Sequence, residues 1–156
     1  MKKLHVVIGD SGTRKSSLIR CLSGAGSADP SKILDIEYQN GRIAKVHVIL
    51  SALQESYKPQ LPSDVVEYVS NHPADEFLLP LRVNSVSSKG KNYPVANTYL
   101  NAFVQAGLQI ESVALLGVSA QQVTIPVQCK IAKEPKSQII PTNRIASTVR
   151  NIWNWV

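Results

Sequence analysis

A chain of 156 residues, 44% hydrophobic and 18% charged, is long enough to bury one good core and too short for two, so a single domain over residues 1–156 is expected. The apolar stretch after the opening "MKK" is broken by His5 and stops at Gly9 and Asp10, too short for a secretory leader, and no later run approaches the roughly 18 apolar residues of a membrane-spanning helix. A cytoplasmic protein with no transmembrane segment is the expectation, and a formal net charge of +6 points to anionic partners.

Along the chain, apolar runs alternate with helical patterns in the manner of an α/β sheet. "LHVVI" (4–8) reads as a buried parallel strand that ends at Gly9. Leu18, Ile19 and Leu22 then form a helical stripe that Gly24 stops. "KILDIEY" (32–38) and "RIAKVHVIL" (42–50) are strands joined through Asn40 and Gly41, both tolerant of positive φ, which predicts an antiparallel hairpin. Residues 62–71 predict a short helix capped by Ser63, with Val65, Val66 and Val69 facing inward. In "EFLLPLRV" (76–83), Pro80 lacks a donor, so this strand lies at an edge or breaks pairing near its end.

A flexible segment, "NSVSSKGKN", leads to a helix opened by Pro94, lined by Tyr99, Leu100, Phe103 and Val104, and ended by Gly107. "VALLGV" (113–118) is a further buried strand. "VTIPVQCKI" (123–131) alternates strictly and predicts a half-exposed antiparallel strand at an edge, where Pro126 is tolerated. Last, Ile145, Val149, Ile152, Trp153 and Val156 share one stripe of a closing helix. Trp153 and Trp155 fall on different faces, so at least one ring is expected at the surface.

Charge is concentrated at the two ends. Residues 1–20 carry five cations against one carboxylate, residues 128–156 carry the same, and the middle has seven against nine. The N-terminal share suits phosphate groups, and the C-terminal share suits a protein partner, nucleic acid or an anionic membrane surface. Residues 128–140 contain no aromatic side chain among their lysines, so no base-stacking platform is indicated. Cys21 and Cys129 form no CxxC pair and are expected to be buried, reduced thiols in a helix and a strand. His5, His47 and His72 have no cysteine or carboxylate at ligand spacing and read as strand and turn residues.

"GDSGTRKSS" (9–17) follows the first strand and opens the first helix, which is the setting a phosphate-binding loop requires. Successive backbone N–H groups curl around an anion there, and the helix N-terminus adds partial positive charge. The pattern G-x-x-x-x-G-K-[ST] is met at seven of its eight places, with Arg14 standing where the second glycine belongs. Gly9, Asp10, Ser11, Gly12, Thr13, Arg14, Lys15, Ser16 and Ser17 are the candidate phosphate-binding residues. Lys15 would reach the β- and γ-phosphates of ATP or GTP, and the Ser16 hydroxyl would ligate Mg²⁺. Arg14 either folds outward and adds a cation or lies across the cradle and blocks it.

"LHVVIGDSGTRKSSLIRCLSG" resembles the first strand, loop and helix of P-loop NTPases, in particular small GTPases of the Ras and Rab type. The likeness extends through "ILDIEYQNGRIAKVHVILSALQESY", covering about residues 4–57. It implies a three-layer α/β/α P-loop NTPase-like domain with a mostly parallel sheet and an antiparallel hairpin of the second and third strands. Gln54 matches the family's water-orienting glutamine, and Glu55 follows it, so both are candidate catalytic residues. Leu50 replaces the family's metal-supporting aspartate, and Leu53 replaces the glycine that senses the γ-phosphate, which points away from efficient hydrolysis. The guanine-reading N-K-x-D is missing, and the chain is one strand–helix unit short.

Two readings follow. One is a nucleotide-binding switch or regulatory subunit with weak hydrolysis at most, whose loops near 25–35 and 51–60 are read by a protein partner. The other is a pseudo-NTPase that binds no nucleotide and works through its basic ends.

Overall fold

The computed structural model describes residues 1–26, 31–55 and 60–156. In chain order the elements are β1 (Lys3–Ile8), α1 (Lys15–Ser23), β2 (Ser31–Glu37), β3 (Ile43–Ile49), α2 (Pro62–Asn71), β4 (Glu76–Leu81), β5 (Val86–Ser88), β6 (Lys91–Tyr93), α3 (Ala96–Gln105), β7 (Gln109–Leu116), a 3₁₀ turn (Ser119–Gln122), β8 (Lys130–Glu134) and α4 (Thr142–Trp153). The main sheet has the order β2-β3-β4-β1-β7-β8. Its pairings are parallel except β2 with β3. Helices α1 and α4 cover one face and α2 and α3 the other, giving the expected three layers.

Strand periodicity divides the core in two. In β1, Leu4, Val6 and Ile8 face the α2/α3 side with Phe77, Leu79, Val65, Val69, Tyr99 and Phe103, whereas Val7 faces the α1/α4 side with Leu78, Leu18, Ile19, Ile145 and Trp153. Each of these side chains, fully buried, contributes about 1.5–3 kcal/mol. Because both faces are covered, β1 and β4 carry near-continuous apolar runs.

Several expectations need correction. β4 is an interior strand, between β3 and β1, and not an edge strand; of the two expected accommodations of Pro80 it is the break in pairing near the strand's end that occurs, on the β3 side. Its pairing with β3 stops at Leu78, so the missing N–H falls where that ladder has already parted, and the Pro80 carbonyl accepts instead from the Leu53 N–H at 3.2 Å. Helix α2 starts at Pro62 rather than behind a Ser63 cap; the Asp64 carboxylate reaches back to the Leu61 N–H at 3.0 Å. Helix α3 begins at Ala96, two residues past Pro94. The segment expected to be flexible contains a small hairpin, β5–β6, turning at Lys89 and Gly90, both at positive φ. Of the Asn40–Gly41 pair, Gly41 alone takes positive φ.

The alternating burial of residues 123–131 is present, but the ladder begins only at Lys130 and runs parallel to β7. Residues 123–129, Cys129 among them, are an irregular crossover with a bend at 126–127 on the α3 side, where Val123, Ile125 and Val127 lean on the core. β8 does lie at an edge. Both cysteines are free thiols, half-buried rather than buried. Both tryptophans are buried: Asn154 takes a left-handed φ of 59°, which turns Trp155 back to bridge Tyr38. Val156, by contrast, is exposed and outside the helical stripe. Among the described residues no helix is long and apolar enough to cross a membrane, and no cluster of His, Cys, Asp or Glu is suited to a metal ion.

Candidate functional site

The loop of residues 9–14 joins the end of β1 to α1 and is built around Thr13. That side chain is buried in a notch between Gly9 and Gly117, and its hydroxyl donates to the Asp10 carbonyl at 2.6 Å. A Cβ on Gly117 would stand 2.8 Å from Thr13 Cγ2, and one on Gly9 would meet the Leu116 carbonyl at 2.9 Å, so both positions need glycine for space. Thr13 therefore props the loop from below and is not on its open surface.

Two residues turn the loop with left-handed backbone, Gly12 at φ 79° and Arg14 at φ 70°. Arg14 keeps the conformation that glycine adopts freely, and its guanidinium folds outward to the Ile140 carbonyl at 3.3 Å. It precedes α1 without a side-chain cap. The first intrahelical bond runs from the Leu18 N–H to the Arg14 carbonyl, leaving the N–H groups of residues 15–17 without helical acceptors. The same residues line a cavity of about 240 Å³ together with Ser11, Gly12, Arg14, Ala52 and Glu55.

Lys15 is the unusual group. It is 7% exposed, and its ammonium donates to the Asp10 carbonyl at 3.0 Å. Burial pushes its pKa below the ordinary lysine value; Glu55 and Asp10 oppose that shift, and Arg82 reinforces it. Ser16 Oγ donates to the Leu50 carbonyl at 3.0 Å, so the backbone at position 50 occupies the hydroxyl where a carboxylate would be needed to support a metal. Leu50 itself is buried.

Gln54, read as a catalytic candidate, is not in the cavity lining. It is fully buried, and its carboxamide bonds the Arg82 N–H and carbonyl, each at 2.9 Å, and the Pro94 carbonyl at 3.2 Å. Leu53 is buried as well. Glu55 does border the cavity, and it pairs with Arg82 at 3.1 Å. Of the loops thought to report nucleotide state, residues 27–30 and 56–59 lie outside the described residues.

Two residues at this site escaped sequence reading. With β4 inserted between β1 and β3, its tip enters beside the loop: Asn84 donates to both carboxylate oxygens of Asp10, from its N–H at 3.3 Å and its amide at 3.0 Å, while Arg82 meets Glu55. The only available signal was the polar run after "EFLLPL". A larger cavity, about 600 Å³, lies at the opposite end of β7 beside Met1, Val104 and Cys129. Its lining is mainly apolar, with one loose Lys130–Glu111 pair at 3.5 Å, so converging donors distinguish the loop instead. No family model matches the chain, and searches of curated proteins and of solved structures find no match either.

Proposed function

We propose that residues 9–17 hold the polyphosphate of ATP or GTP together with Mg²⁺, and that the protein works as a nucleotide-binding switch or regulatory subunit with little or no hydrolysis of its own. One observation carries this reading: a buried Lys15 ammonium, with a neutral carbonyl as its hydrogen-bond acceptor, in a cavity lined by the first-turn residues of α1, whose N–H groups have no helical acceptors. A buried cation in that setting gains most from an anion, because burial penalises its charge until one arrives. The helix N-terminus favours the same ligand.

The residues present suit Mg²⁺ in a limited way. Magnesium keeps most of its ligands as phosphate oxygens and water and needs one or two from the protein. Ser16 Oγ is the group that would serve, by turning away from the Leu50 carbonyl. The metal would neutralise phosphate charge; the chain itself supplies Lys15 as a fixed cation, backbone N–H donors, and the Thr13 and Asp10–Asn84 contacts that hold the loop in shape.

Millimolar Mg-ATP or Mg-GTP should raise the melting temperature of the protein, and Lys15→Ala should abolish that rise with little change in the unliganded melting temperature. Absence of any shift in the wild type rejects nucleotide binding. The second reading, a pseudo-NTPase acting through protein, nucleic-acid or membrane-surface contacts, is favoured by one feature, the bond between Ser16 Oγ and Leu50 in place of a metal-supporting carboxylate. It predicts no shift with either nucleotide.

A further inference from the structure

Arg82 stands outside the cavity lining, joined to it through its pair with Glu55, and is incompletely satisfied. Its Nη1 donates to Glu55 at 3.1 Å, but its Nε is buried and finds no acceptor among the described residues. A guanidinium carries five donors in a planar fork, and leaving one of them buried and unpaired is unfavourable unless another ligand completes it. Its backbone is fixed from both sides by the Gln54 carboxamide, so the side chain projects from an anchored point at the tip of β4. Lys15, at the cavity wall, lies within the electrostatic reach of Arg82 and of Glu55. Arg82 is thus paired with a partly exposed carboxylate that itself borders the cavity carrying Lys15 in its wall.

Resting on the phosphate-binding reading above, we infer that Arg82 is a second phosphate-binding cation of this site and that Glu55 occupies its fork until a phosphate displaces it. The loop takes the inner phosphates, Lys15 reaches the β- and γ-phosphates, and Arg82 adds a second cation to the terminal one. The ligand class is therefore a triphosphate, distinguished from a diphosphate by Arg82. Glu55 acts as a competing anion: its carboxylate covers the guanidinium in the empty site, and capture of Arg82 by phosphate releases it. Bidentate recognition of phosphate by a guanidinium fork provides the geometric preference.

The test measures affinities of the folded proteins for Mg-ATP, Mg-ADP, Mg-GTP, Mg-GDP, tripolyphosphate and pyrophosphate by calorimetry. Arg82→Gln should weaken triphosphate binding about tenfold or more and leave diphosphate binding within about twofold. Glu55→Gln should tighten triphosphate binding severalfold, and the double variant should lose that gain. Glu55→Gln keeps the inference testable if Arg82→Gln fails to fold. Binding that Lys15→Ala abolishes but Arg82→Gln leaves unchanged, or lowers equally for both phosphate lengths, overturns the role of Arg82 alone. Weaker triphosphate binding by Glu55→Gln overturns the competition. No binding of any compound by the wild type overturns this inference together with the nucleotide reading. Tripolyphosphate and nucleoside triphosphates both responding to Arg82 supports it with the nucleoside dispensable; nucleotides alone responding supports it with the nucleoside required.

Discussion

Gln54 and Arg82 are bonded in both directions: the Gln54 carboxamide donates to the Arg82 carbonyl and accepts from the Arg82 N–H, each at 2.9 Å. With its third bond, to the Pro94 carbonyl, the side chain ties the loop after β3 to the end of β4 and the entry to α3. Replacing it with alanine leaves a partly buried N–H and two carbonyls without these partners, at up to about 1–3 kcal/mol for each group left unsatisfied. Gln54→Ala is expected to destabilise the fold by about 3 kcal/mol, read as a lower urea midpoint. A loss below about 1 kcal/mol would mean that water replaces the carboxamide and that its anchoring role is minor.

Arg14 combines a left-handed backbone with an outward side chain. A non-glycine residue in that conformation costs roughly 1–2 kcal/mol, while the exposed 3.3 Å contact to Ile140 returns little. Arg14→Gly should therefore be neutral or stabilising by up to about 1 kcal/mol, with the denaturant slope unchanged. Because the guanidinium is engaged by the Ile140 carbonyl, nucleotide affinity should change by less than about threefold. A tenfold gain would show that the side chain obstructs phosphate, and a tenfold loss that it contacts it.

What was legible in the sequence was local. "LHVVI", the loop and the Leu18–Ile19–Leu22 stripe each carry their own period and turn chemistry, and β1 and α1 formed close to the expected boundaries. Sheet order is a non-local property, and nothing within "EFLLPLRV" reveals that β4 separates β1 from β3. That placement brings Arg82 and Asn84 to the loop and draws Gln54 into a backbone-binding role, so the site was half read. The alternation of residues 123–129 reports burial, since every second side chain leans on the α3 side, but alternation alone does not specify a ladder partner. For Trp155 the decisive feature is the left-handed Asn154, a single-residue reversal that helical periodicity does not encode.

A buried polar group on the Tyr38 side of the sheet sets the acid stability. Glu76 accepts from Tyr38 at 2.6 Å, His5 at 3.0 Å and Arg42 at 2.7 Å. Burial alone would raise its pKa, but the bonds from His5, Tyr38 and Arg42 outweigh it and lower the carboxyl to about 2. Depression from about 4.5 to about 2 gives stabilisation that is complete above the unfolded value and is lost as pH falls through that window; it amounts to about 3 kcal/mol. Burial lowers the pKa of His5 below 6.5, the Glu76 contacts opposing, so an unfolded His5 binds its proton first and stability begins to fall below about pH 6.5. Both groups act in the same direction. Urea midpoints should decline from pH 6.5 to 2, and Glu76→Gln should flatten the part below pH 4.5. An unchanged acid limb in that variant would assign the decline to other carboxylates.

Turnover is where binding and catalysis part. Gln54 is held by backbone groups, Leu50 supplies no carboxylate, Ser16 Oγ rests on the carbonyl at position 50, and Glu55, which borders the cavity, is paired with Arg82, so among the described residues no water-orienting side chain and no unpaired carboxylate faces the cavity. Phosphoryl transfer depends on positioning and charge stabilisation, and loss of one such group typically removes orders of magnitude in rate. Hydrolysis of ATP or GTP by the isolated protein is expected to be undetectable, or far below about one turnover per minute. Phosphate release is the direct measurement, with Lys15→Ala as the control for contaminating enzymes. Robust turnover that disappears in Lys15→Ala would refute the expectation and require an acid at the site. Glu55 is the carboxylate that borders the cavity, and it becomes available once phosphate takes Arg82 from it. Should turnover appear only with an added protein partner, Glu55→Gln distinguishes the source of the acid: a lost rate assigns it to this chain, and a retained rate assigns it to the partner.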